Sequence, residues 1–191
     1  MTTARRAWLE ALLAALDPSG DLIVAGLGAN ARYLPHLGTR VPNFALCDAM
    51  GSAIPLALGM ALARPERRVI ALEGDGSLLM NLGALATVGA AQPGNLVAIV
   101  FENGHYESSG GQALPSVRVD FVAVARAAAF AFAERLAEAA ALPAALARAR
   151  GRPGPALLAA VTAFDPHEPI PPYSERPPEI RLNFARALAG R

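Results

Sequence analysis

The chain has 191 residues, enough for one domain with a real core, and a formal net charge of +1, which removes the electrostatic case for a nucleic-acid partner. All 17 cationic residues are arginine, and the single cysteine, Cys47, excludes an internal disulfide and cannot alone build a zinc or iron–sulfur site. At 53% hydrophobic and 17% charged residues the chain is unusually apolar, which alanine enrichment and a large subunit interface explain equally well.

The first predicted element is an amphipathic helix over residues 3–16. Arg5-Arg6 and the apolar stretch after them faintly resemble a signal peptide. Glu10 interrupts that stretch, however, and Asp17-Pro18-Ser19-Gly20 ends it without a cleavage site. No apolar run approaches the ~18–20 residues that span a bilayer; the richest, 53–63, contains Pro55 and Gly59. A cytoplasmic chain with no membrane association is expected.

A strand over 21–25 leads to a glycine-rich turn and a short helical stretch. Then come a strand at 44–47, a helix at 52–63, a strand at 68–73, a helix at 77–91 and a strand at 95–102. After a loop at 103–118 the pattern gives a helix at 120–129, a strand at 130–133, a helix at 135–150 and a strand at 156–161. Alternation of this kind predicts an α/β fold, a mostly parallel sheet with helices on both faces. Ligands of such sheets bind at the carboxyl ends of the strands. From Asp165 onward Pro166, Pro169, Pro171, Pro172, Pro177 and Pro178 favour an extended path, with a last short helix at 179–188. The chain therefore divides into a domain at 1–164 and a Pro-rich tail at 165–191, either disordered or laid across a partner subunit.

Chemistry concentrates at Gly74-Asp75-Gly76-Ser77, followed 26 residues after Ser77 by Asn103. Both oxygen-bearing side chains fall at strand ends, beside a glycine-rich turn. Mg²⁺ demands near-octahedral oxygen coordination and commonly bridges phosphates. Asp75 would give it an anionic oxygen and Asn103 an amide oxygen, while Gly74 and Gly76 let the backbone approach a diphosphate and Ser77 opens the next helix. A plain strand–helix turn capped by Asp75 is the competing reading; Asn103 at the end of the next strand favours the cation–diphosphate site.

Gly74-Asp75-Gly76, the 26-residue spacing and Asn103 resemble the signature of thiamine diphosphate enzymes. The stretch from Asp48 through Ala49-Met50-Gly51-Ser52 to Gly59 is similar to the segment that grips the cofactor's pyrimidine ring. The loop from Asn103 through His105-Tyr106-Glu107-Ser108-Ser109 to Gly110-Gly111-Gln112 looks most like sulfopyruvate and phosphonopyruvate decarboxylases, some of which are split into two short subunits. The resemblance covers roughly residues 20–165 and implies a diphosphate-binding domain of the size of a β subunit. It implies Asp75, Asn103 and the His105 backbone oxygen as Mg²⁺ ligands, and Gly74, Gly76 and Ser77 at the diphosphate. It also implies Asp48 and Met50, with Gly51, at the pyrimidine, Met50 forcing the cofactor's bend. Glu102 departs from the asparagine common at that position.

The family needs a glutamate from a separate pyrimidine-binding domain. Glu10, Glu66, Glu73, Glu102 and Glu107 all read as surface, turn or loop residues, so the glutamate is expected from a partner α subunit in a hetero-oligomer such as α2β2. Thiamine diphosphate and Mg²⁺ are the expected cofactors, and a small 2-oxo acid the expected substrate. No residue of this chain is certain to be catalytic; His105, Ser108 and Ser109 are the candidates, and Gly110-Gly111 marks a loop able to close. Arg32, Arg40 and His36 are candidates for an anion pocket, with the partner as the alternative source, and His167 is expected at the surface. Two rival readings remain: a catalytically silent assembly subunit, and a dinucleotide-binding module on Gly26-Leu27-Gly28-Ala29-Asn30-Ala31 with Asp48 about 20 residues on. The second leaves Asp75 and Asn103 unexplained, and Pro35, Gly38 and Pro42 suit its crossover helix poorly.

Overall fold

The computed structural model describes residues 2–115 and 119–189; the last residues of the expected 103–118 loop, 116–118, lie outside the described residues. Six strands form one parallel sheet in the order β2-β1-β3-β4-β8-β7. These are β1 (Asp21–Ala25), β2 (Asn43–Ala45), β3 (Arg68–Gly74), β4 (Leu96–Glu102), β7 (Phe132–Leu136) and β8 (Ala156–Val161), with a separate two-stranded hairpin of β5 (His105–Tyr106) and β6 (Gln112–Ala113). The helices are α1 (Arg5–Ala15), α2 (Ala29–His36), α3 (Ala53–Ala63), α4 (Asp75–Met80), α5 (Ala84–Ala91), α6 (Phe121–Ala127), α7 (Leu142–Arg150) and α8 (Pro177–Leu188).

Central strands buried on both faces need apolar residues at every position. In β1, alternate side chains serve two separate cores. Ile23 and Ala25 join Ile70, Leu72, Ile99 and Phe101 under α1, α2 and α7. Leu22 and Val24 join Val69, Ala71, Ala98 and Val100 under α3, α5 and α6. Trp8 of α1 is fully buried in the first core, and its indole N–H donates to the Val161 carbonyl at 3.2 Å.

Three expected elements differ from those observed. The helix expected at 77–91 is two helices, because Asn81 leaves the helical path (φ −143°) and its side-chain amide donates to the Gly51 carbonyl at 2.9 Å. The strand expected at 130–133 is β7, three residues further along at its end, and the helix expected from 135 begins at Leu142 after a short 3-10 turn, Ala139–Ala141. Alanine-rich sequence there favours a helix, but pairing of Phe132–Leu136 with β8 and burial of Leu136 win. The loop after β4 contains the β5–β6 hairpin.

The tail folds back along its own chain. Tyr173 donates its hydroxyl to the Leu46 carbonyl at 3.1 Å, and Arg32 donates to the carbonyls of Pro171 and Ile170. α8 buries Ile180 and Phe184, the latter edge-on to Phe44 of β2 with ring centroids 5.5 Å apart. Among the described residues, no helix is long and apolar enough to cross a membrane.

Candidate active site

The topology opens a crevice at one place. β1 leads through α2, in the first core, to β2 on one side; β2 leads through α3, in the second core, to β3 on the other side of β1. The loops leaving β1 and β3 diverge to opposite faces, and ligands of open parallel sheets bind at such a switch point. The cleft there is lined by Leu27 and Asn30 after β1, Met50 before α3, Gly74–Ser77 from the last residue of β3 onward, Phe101 near the end of β4, and Asn103 and the 105–108 segment after it. Arg5 of α1 completes the wall.

Asp75 lies on the floor, 3% exposed. Its Oδ1 accepts from the Gly76 N–H at 2.9 Å and its Oδ2 from the Gly104 N–H at 2.7 Å. Burial raises its pKa above the ordinary carboxylate value against those two hydrogen bonds, and the nearby Glu102 charge adds to the rise. A carboxylate so placed is costly without a cation. Asn103 stands at the mouth of β4: its Oδ1 accepts from the His105 N–H at 2.9 Å, and its carbonyl lies 2.8 Å from His105 Nδ1. The His105 ring stacks on Phe164, centroids 3.9 Å apart. Among the described residues no three His, Cys, Asp or Glu side chains could hold a metal together. A cation here therefore needs amide and carbonyl oxygens beside Asp75, the hard donor set that suits Mg²⁺.

Glycines shape the cleft by what they admit. A Cβ on Gly76 would stand 2.7 Å from the Tyr106 ring and 2.8 Å from Leu114, so the hairpin lies directly on the Gly76 backbone. One on Gly26 would stand 2.5 Å from Glu73 Oε1. The turn expected to grip a ring carries backbone strain at Ala49 (φ 60°), while Gly51 (φ 78°) takes the left-handed conformation without cost. It is pinned from below, the Gly51 N–H donating to Ser77 Oγ at 2.7 Å and the Ala53 N–H to Glu73 Oε2 at 3.1 Å.

Of the residues expected at the cofactor, Met50, Gly74, Asp75, Gly76, Ser77, Asn103 and His105 line the cleft together. Gly51 lies just beneath, while the Asp48 side chain is exposed and caps its own turn at the Ala49 N–H. Ser108 reaches the cleft wall; Ser109 faces solvent and bonds Gln112. The anion-pocket candidates do not converge on it: Arg32 holds tail carbonyls and lies over Tyr173, His36 lies 3.2 Å from the Pro172 carbonyl, and Arg40 is exposed. His167 is exposed.

Two of the glutamates expected at surface, turn or loop positions are withdrawn from solvent. Glu73 is 1% exposed, with Oε1 lacking a hydrogen-bond partner, and burial raises its pKa. Glu107 is held by the buried Arg5 guanidinium. Asn30 was masked in the sequence by the weak Gly26-x-Gly28 motif, which does mark a second strand-end turn at the same sheet edge; the Gly28 N–H there meets the Tyr173 hydroxyl at 3.3 Å. Arg5 carries no local signal at all.

The model of the thiamine pyrophosphate enzyme C-terminal TPP binding domain matches residues 28–160. A phosphonopyruvate decarboxylase of Streptomyces viridochromogenes is 45% identical over 154 residues, 81% of this chain and 38% of that protein. Sulfopyruvate decarboxylase subunit beta of Methanothermobacter thermautotrophicus is 39% identical over 110 residues, 58% of this chain and 59% of that one. Benzoylformate decarboxylase of Polynucleobacter necessarius superposes with a TM-score of 0.69 at 20% identity, over 83% of this chain and 33% of its own, which establishes the shared fold. The chain thus spans less than two thirds of each of these relatives, from 33% to 59% of their length. It belongs to the thiamine pyrophosphate enzyme family through the C-terminal TPP binding domain.

Proposed function

We propose that this member of the thiamine pyrophosphate enzyme family is the diphosphate-binding β subunit of a Mg²⁺-dependent 2-oxo acid decarboxylase. Its proposed substrate is 3-sulfopyruvate or 3-phosphonopyruvate, giving carbon dioxide and an aldehyde. The observation that carries this reading is the buried Asp75 carboxylate facing Asn103 and the His105 segment across a glycine-floored cleft at the sheet's switch point. The names of the Streptomyces and Methanothermobacter relatives support the substrate class and the β role.

The donor set fits the cofactor and its metal. Asp75, Asn103 and the His105 carbonyl would hold Mg²⁺, and the backbone at Gly74, Gly76 and Ser77 would meet the diphosphate. Met50, with Gly51 and Asp48, would seat the pyrimidine ring. Thiamine diphosphate, when bound, supplies the electron sink for loss of carbon dioxide. The protein's part is positioning: Ser77 and Glu73 fix the turn that carries Met50, and the hairpin bearing Tyr106 closes the side of the cleft. His105 and Ser108, which line the cleft, remain the candidates for proton transfer or substrate contact, while Ser109 faces solvent.

Two glutamates near the cleft have other occupations. Glu73 holds Ala53 and Glu107 holds Arg5, so the glutamate that the pyrimidine requires belongs to a partner α subunit in a cytoplasmic hetero-oligomer. Among the described residues Arg32 and His36 are committed to the tail, and the cation for the substrate's second anionic group is assigned to the partner in this proposal. Carbon dioxide release measured with thiamine diphosphate and Mg²⁺ on sulfopyruvate, phosphonopyruvate and pyruvate tests this. Activity is expected only when the chain is combined with a pyrimidine-domain partner, and full activity of the chain alone would refute the split site.

A further inference from the structure

We propose that Arg5 is a positioning residue for the cleft. Its buried guanidinium, bridged to Glu107 and Glu168, clamps the 104–114 segment, and with it the His105 carbonyl, against the strand ends. The part played by that carbonyl rests on the metal reading given above.

Arg5 opens α1, outside the matched residues 28–160, yet among the described residues it is the one arginine lining the cleft. Its side chain is 3% exposed. Nη1 donates to Glu107 Oε1 at 3.0 Å and to Glu168 Oε2 at 2.8 Å, and Nη2 donates to Glu107 Oε2 at 2.5 Å. The grip on Glu107 is thus two-pronged, the geometry in which arginine fixes direction as well as distance. Both carboxylates are themselves mostly buried, at 13% and 16% exposure. A desolvated pair of this kind adds little net stability, but loss of one member leaves a buried charge uncompensated.

The segment has other ties: Tyr106 and Leu114 pack on the Gly76 backbone. β5 and β6 pair over two residues each, and Gly104 (φ 72°) and Gly111 (φ 71°) bracket the hairpin's first strand and turn with left-handed backbone. The Gly104 N–H reaches Asp75 and the His105 ring lies on Phe164. The middle of the loop, where Glu107 sits, is held to the body of the protein by Arg5. Glu168 ties the start of the tail to the same guanidinium, so one cation collects the amino-terminal helix, the cleft loop and the tail. Two carboxylates already face it, so Arg5 is set to orient this loop, not to receive a further anion.

Hydrogen exchange of the full-length chain, read by mass spectrometry, tests the clamp without any turnover. Glu107→Gln and Arg5→Lys are expected to speed exchange of the 104–114 amides about tenfold or more, leaving β3 and β4 unchanged. Glu168→Gln should affect the loop less than Glu107→Gln. Calorimetric titration of Mg²⁺ with thiamine diphosphate present, on the chain with its partner, should show about tenfold weaker binding in Glu107→Gln. Unchanged loop exchange in both Glu107→Gln and Arg5→Lys would overturn the proposal. So would exchange raised uniformly through the sheet, or a loosened loop with unaltered Mg²⁺ affinity. Absence of any binding by the wild-type complex would sink the metal reading instead, and the exchange data would still decide the clamp.

Discussion

Asp75 and Glu73 stand two residues apart at the end of one strand, both buried, with different fates. Asp75 opens onto the cleft and would be neutralised by a divalent cation. Asp75→Ala is expected to weaken Mg²⁺-dependent binding of thiamine diphosphate by roughly 100-fold or more, measured by calorimetry with the partner present. Glu73 points beneath the α3 start, where it serves the Ala53 N–H. Because burial raises its folded pKa above the unfolded value, its contribution to stability is complete below the ordinary glutamate range and is lost as pH rises through the raised value. Urea unfolding without metal should therefore show Glu73→Gln gaining on the wild type as pH is raised from about 4 to 7; a difference independent of pH would contradict this. Asp75 and Asn103 were legible because a strand-end glycine motif and its spacing announce them locally. Glu73 was not, because an acidic residue at the last turn of a strand reads as solvated unless one knows that Gly26 opens a space for it.

At the scale of elements, the short, predominantly apolar strands were legible, and the alanine-rich stretch 135–150 was not. β1 and β8 lie where the pattern puts them, since a run such as Ala156–Val161 suits only a doubly covered strand. Residues 135–150 misled because alanine favours a helix in isolation, while the sheet recruits Arg135 and Leu136 into β7. Arg135 then reaches Glu102 at 2.9 Å and Asp120 at 3.1 Å. The single helix expected at 77–91 failed on Asn81, whose amide does more by holding Gly51 than by continuing a helix. Gly89 of α5 sets another limit: a Cβ there would fall within 1.6 Å of the Ala128 carbonyl oxygen, just beyond α6. Gly89→Ala is expected to destabilise the chain by about 1–3 kcal/mol or more, read from the urea midpoint, because α5 and α6 must separate. Unaltered stability would show that this crossing is slack.

Across the whole molecule, the sheet order and its switch point explain why residues as distant as Asn30, Met50, Asp75 and Asn103 meet. The order could be anticipated only as "mostly parallel", because sequence gives strands without neighbours. The exposed apolar side chains Leu62, Met80 and Leu182 are individually unremarkable in number, though Met80 ends the helix that begins at Asp75. Covering of that region by a partner should slow backbone exchange in α4 when the two chains are mixed, and no change there would argue for a different contact face. Trp8 is the only tryptophan of the chain, sealed in the core with its indole N–H fixed to the end of β8 one helical turn from Arg5. Its emission is therefore an intrinsic lamp at the seam between the amino-terminal helix and the sheet. Denaturation will shift it to the red with no second indole to blur the reading, and detachment of α1 alone will register before the sheet itself gives way.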